Sequence, residues 1–213
     1  MKWLFSSRNA DIDASETVLL ARLEKAFDAD PDAFVEASKR PTAKDFELIG
    51  TFIQVYCFAE LSARQIIEMI DSAILGRRPE AASRLAGHDV FPKLAEAAGK
   101  LSSDGKGNLR ETLIRAAGTV EMHRQIRHTL AHWAVRRIEG GRAFLVLSKN
   151  AQEGKKRHGK MIGAGELHYG MMGTATLRRE LKKLEQHTQN LSVAAVHMGK
   201  DRQGLASMLA ARD

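Results

Sequence analysis

The chain has 213 residues, 44% of them hydrophobic, so it carries enough apolar material for one core and global disorder is excluded. Its 33 Lys and Arg outweigh 26 Asp and Glu for a net charge of +7, which favours an anionic partner, nucleic acid before an acidic membrane surface. The single cysteine, Cys57, rules out an intrachain disulfide and a four-cysteine zinc site, and its apolar surroundings read as those of a small buried hydrophobe.

The opening Met1 to Ser7 has too short an apolar run for a signal peptide. Ser15 caps a first helix from Glu16 to about Ala29, with Val18, Leu19, Leu20, Leu23 and Phe27 as its apolar stripe. Asp30-Pro31 then breaks the chain. Pro41-Thr42 opens a long second helix to about Leu75, apolar on nearly every side between Phe46 and Leu61, as a central buried helix is. Its most apolar run, Leu48 to Ala59, is shorter than the roughly 20 residues of a membrane span, and a soluble cytoplasmic protein is expected. Glu60, Arg64 and Glu68 stand four apart and predict a solvated ion-pair ladder.

Gly76 to Pro79 ends this helix. Glu80 to Leu101 reads as two short helices parted near Gly87-His88, and Ser102 to Asn108 as a glycine-containing loop. A long helix follows from about Leu109 to Ala131. Val135 to Ile138, a Glu139-Gly140-Gly141 turn and Arg142 to Leu147 predict a hairpin. Lys149 to Gly165 is a basic loop, and Glu166 to Met171 returns as a third strand. Thr176 caps a last helix striped by Leu177, Leu181, Leu184 and Leu191. The expected fold is mainly α: an up-and-down bundle of long antiparallel helices with a small β-hairpin or three-stranded insertion before the last helix. One domain spans 14–198, with the insertion at about 134–172 and a loosely held tail over 199–213.

The richest cluster is Arg127-His128-Thr129-Leu130-Ala131-His132. At about 100° per residue, Met122, Ile126, Leu130 and Trp133 fall on one face, read as the core face. Glu121, Arg124, His128 and His132 gather opposite, with Arg127 at the edge. Residues five apart are about 140° apart on a helix, so Arg127 and His132 do not meet directly on a regular one. The chemistry suits phosphodiester cleavage. Histidine exchanges protons near neutral pH, and arginine offers a charged planar fork to phosphate oxygens without a metal. In RNA the 2′-hydroxyl supplies the nucleophile. His128 and His132 also have a zinc-compatible i,i+4 spacing, but no third ligand is evident.

These residues resemble the signature of the HEPN superfamily: an arginine, a polar residue, three further residues and a histidine. Arg127, His128 and His132 occupy the three signature positions, with Ala131-His132-Trp133 as matching context. The resemblance covers about Ala14 to His132 and does not account for the hairpin and last helix. It implies a homodimer with the Arg/His motifs facing across a shared cleft, so that Arg127 of one protomer serves beside His132 of the other. It also implies a cofactor-free, metal-independent endoribonuclease leaving a 2′,3′-cyclic phosphate and a 5′-hydroxyl, of the kind found in toxins and abortive-infection systems. His132 would transfer the proton, Arg127 stabilise the phosphate and His128 orient, with an antitoxin protein as a further partner.

Arg124 together with Lys155, Lys156, Arg157 and Lys160 would grip the RNA backbone through counterion release, although the basic loop reads equally as a solvated connection. His168 and Tyr169 could stack on bases, with burial against the last helix the alternative for Tyr169. The other reading of the whole chain is a non-catalytic helical module that binds nucleic acid or a partner protein.

Overall fold

The computed structural model describes residues 3–4, 14–75, 82–102, 109–147 and 169–201. The fold is mainly α with a small sheet ahead of the last helix. Six α-helices are described: α1 (Ala14–Ala29), α2 (Pro31–Ala37), α3 (Ala43–Leu75), α4 (Val90–Gly99), α5 (Leu109–His132) and α6 (Thr174–Lys200). The strands are β1 (Trp3–Leu4), β2 (Ala134–Ile138), β3 (Ala143–Leu147) and β4 (Tyr169–Gly173). Two compact units result, one from Met1–Gly50 with His128–Glu180 and one from Thr51–Arg127 with Leu181–Asp213.

In the first unit the strands lie in the order β1-β4-β3-β2. The β2–β3 and β3–β4 pairs are antiparallel, while β1 adds in parallel with Trp3 opposite Gly170. The β2–β3 turn is made by Glu139, Gly140 and Gly141, at φ of 48°, 64° and 93°. Gly141 is required twice over, since its φ disfavours a side chain and a Cβ would collide with the Arg137 guanidinium. The free edge of β2 is covered because Lys39 and Arg137 exchange backbone hydrogen bonds of 2.9 and 2.7 Å.

One face of this sheet is closed by α1. Leu19, Leu23 and Phe27 pack with Ile138, Ala143, Leu145, Tyr169 and Met171, and Phe34 and Val35 of α2 cover the margin. Each buried Leu or Phe contributes about 1.5–3 kcal/mol through area removed from water. Phe144, Val146 and Met172, on alternate strand positions, are also buried.

Asp30-Pro31 breaks the chain after α1 as expected, and it also starts α2. The Asp30 side chain accepts the Ala33 N–H at 3.0 Å and Pro31 takes the first helical position, where no N–H is needed. The next start is a reciprocal cap. Asp45 accepts the Thr42 N–H and hydroxyl at 2.8 and 2.7 Å, and the Asp45 N–H reaches Thr42 Oγ1 at 3.3 Å. Burial raises the Asp45 pKa, but the Thr42 hydrogen bonds and the Arg137 and Arg178 charges outweigh it, so the net shift is downward.

In the second unit α3 is central. Phe52, Tyr56, Ala59, Ala63, Ile66, Ile67 and Ile70 form its buried face. The helix is not buried all round: Phe58 is 58% and Leu61 52% exposed, and Phe46, in the first unit, is exposed too. By length and composition α3 could cross a membrane, although its most apolar run is short; its buried stripe is that of a core helix. Thr188 Oγ1 lies 3.4 Å from the Val55 carbonyl and Ser192 3.1 Å from Ser62. The numbers rise together, so α3 and α6 run parallel here. Among the described residues the expected ladder reduces to one pair, Arg64 to Glu60 at 2.6 Å. It is half-buried rather than solvated, because Arg64 also donates to the Ala82 carbonyl at 2.6 Å and ties down the chain before α4.

Candidate active site

The motif lies on α5, which is helical to His132, and the Trp133 N–H still bonds to the Thr129 carbonyl at 3.0 Å. The buried face agrees with the expected one at Leu130 and Trp133 and differs before them. Leu113, Ala116, Ala117, Val120 and His123 point inward, whereas Met122 is 64% exposed. The stripe is therefore turned from Met122 toward His123. Periodicity misplaced it because a histidine and an arginine hold positions that a hydropathy pattern assigns to solvent.

Arg127 ends the second unit, on the inward side. It is half-buried, and its guanidinium carbon stands 6.0 Å from the centre of the Tyr56 ring. Among the described residues it makes no hydrogen bond or ion pair, and its Nε is buried without a partner. Of the carboxylates whose charge reaches Tyr56, Glu60 is paired with Arg64 at 2.6 Å and Glu121 with Arg124 at 2.6 Å through Oε1, while Glu121 Oε2 is buried with no hydrogen-bond partner among the described residues. Arg124, expected on RNA, is thus held in an exposed pair along its own helix. Tyr56 is 2% exposed, with its hydroxyl unpartnered among the described residues. Burial above all, with Glu121 and Glu60 nearby, raises the Tyr56 pKa far beyond neutrality despite Arg124 and Arg127.

His128 and His132 belong to the first unit, with ring centres 4.6 Å apart and planes at 54°. His132 is exposed and His128 half-buried, while Thr129, Leu130 and Trp133 around them are buried. No group of three or more His, Cys, Asp or Glu among the described residues could hold a metal. Lys155, Lys156, Arg157, Lys160 and His168 lie outside the described residues.

Tyr169 is not available for base stacking. Its ring lies 3.9 Å from that of Phe27, and its hydroxyl donates to Asp28 at 2.8 Å. It is buried against α1 rather than the last helix. Cys57 is free and half-buried.

Neither Tyr56 nor His123 stands out in the sequence as a site residue. Tyr56 looked like one more member of an apolar run; a phenol there was the only signal. The second unit also holds His123, 1% exposed and edge-on to Phe52 at 5.8 Å, and the half-buried His187, whose Nδ1 is buried without a partner among the described residues. Burial first, then the charges of His123 and Arg115, lowers the His187 pKa.

Comparison with protein-family models, curated proteins and solved structures finds no match to this chain.

Proposed function

We propose that this protein is a metal-independent endoribonuclease of the HEPN type, acting in the cytoplasm in defence or a toxin–antitoxin pair. The observation that carries the reading is the unspent charge of Arg127, half-buried and without a carboxylate among the described residues. A desolvated cation with idle donors favours an incoming anion, and a phosphodiester matches the guanidinium fork.

The exposed His132 supplies the proton transfer. The 2′-oxygen attacks phosphorus, the P–O5′ bond breaks, the 2′-hydroxyl proton leaves to a base and the 5′-oxygen gains a proton. Charge developing on the non-bridging oxygens is stabilised by Arg127. His128, with its ring against that of His132, orients the latter. The resemblance of the motif supports a homodimer in which Arg127 of one protomer serves beside His132 of its partner.

The test is cleavage of single-stranded RNA in EDTA. The expected products are 2′,3′-cyclic phosphate and 5′-hydroxyl ends, and Arg127→Ala and His132→Ala should each abolish them. Wild-type cleavage by both variants sinks the assignment. RNA binding with a steep salt dependence and no cutting would instead make the chain a nucleic-acid-binding module.

A further inference from the structure

Arg127 needs something to hold it. A guanidinium with no hydrogen bond or ion pair among the described residues has no polar tether, and a free arginine samples many rotamers. The contact the structure supplies is aromatic: the Tyr56 ring, 6.0 Å from the guanidinium carbon. That ring is itself fixed. Tyr56 is 2% exposed, and Phe91 of α4, 1% exposed, meets it edge-on at 5.7 Å between ring centres.

The Tyr56 hydroxyl makes no hydrogen bond among the described residues, so the part of the side chain in use is its π face. A cation over such a face is attracted without any of its N–H donors being consumed. A carboxylate in the same place would have neutralised the charge and occupied the fork.

We propose that Tyr56 is the positioning residue for Arg127, an aromatic platform that holds the guanidinium in place while leaving its donors for a phosphate. The inference rests on the ribonuclease reading for its consequence, but not for the contact itself. Tyr56 does not touch substrate; it acts through Arg127.

The experiment compares Tyr56→Phe, which keeps the ring, with Tyr56→Leu, which removes it, circular dichroism confirming that each is folded. Tyr56→Met, a more adaptable side chain, is the second ringless variant should Leu disrupt the core. Tyr56→Phe should cleave RNA like the wild type. The ringless variant should lose kcat by on the order of tenfold with little change in KM, because the contact is used in the transition state. Wild-type kcat in a folded ringless variant overturns the proposal, as does an equal loss in Tyr56→Phe.

A second measurement separates this inference from the reading beneath it. Arg127 side-chain protons should be ring-current shifted upfield in the NMR spectrum of the wild type and Tyr56→Phe, and not in the ringless variant. If the wild type leaves RNA intact but the shift behaves this way, the ribonuclease reading fails and the platform stands. An unchanged shift in the ringless variant overturns the platform.

Discussion

Glu16, in the first turn of α1, receives both the backbone N–H of Thr176, at 3.3 Å, and its hydroxyl, across 160 residues of sequence. Thr176 lies in the first turn of α6, so a carboxylate from the first helix caps the last. Arg179 stands 3.7 Å from the same carboxylate, which is almost fully buried. The space it occupies is left by Gly173, where a Cβ would overlap the Glu16 side chain.

Glu16→Ala should therefore destabilise the protein by about 1–3 kcal/mol, the cost of leaving buried donors unsatisfied. Gly173→Ala should act in the same direction by displacing the carboxylate. Urea denaturation reads both, and a midpoint unchanged in the two variants would show that the cap carries no stability.

A composite site makes a distinct prediction about mixtures. Arg127→Ala and His132→Ala proteins, each inactive alone, should regain activity when unfolded and refolded together. Half of the dimers would be mixed, each with one intact Arg127–His132 pair, giving about a quarter of wild-type activity. No recovery, despite mixed dimers detected by native mass spectrometry, would place both residues of each working pair in one chain.

The depressed pKa of His187 makes stability depend on pH. Its folded value lies below the unfolded value of about 6.5, so the folded state binds fewer protons on acidification. The stabilisation is complete above the unfolded pKa and is lost as pH falls through the folded one. His123 and Arg115, the groups that oppose its charge, sharpen the effect. Between about pH 7.5 and about pH 5.5, the urea midpoint should fall more for the wild type than for His187→Asn. Parallel profiles would remove His187 from the acid response.

Much of the fold is legible without a structure because its signals are local. The helix ends near Ala29 and Leu75, the start of α5 at Leu109 and the Glu139–Gly141 turn follow from caps, breakers and glycines acting within a few residues. Where a local signal has two uses, the order of residues does not choose between them. Asp30-Pro31 is both a breaker after one helix and a cap before another, and the chain uses it as both.

The site divides along the same line. The Arg127, His128 and His132 spacing, and hence the phosphate-directed chemistry proposed for it, was available from the order of residues alone. Which side of α5 is buried was not, because hydropathy assigns Arg127 and His123 to solvent and Met122 to the core. Tertiary packing buries Leu130 and Trp133 as expected but turns the face before them, since α3 offers Arg127 an aromatic face and His123 the edge of Phe52 while Met122 is exposed. The residue types and their helical spacing are properties of the sequence by itself. Only the folded chain decided that Arg127 has no hydrogen bond or ion pair among the described residues and that the contact beneath it is a phenol ring.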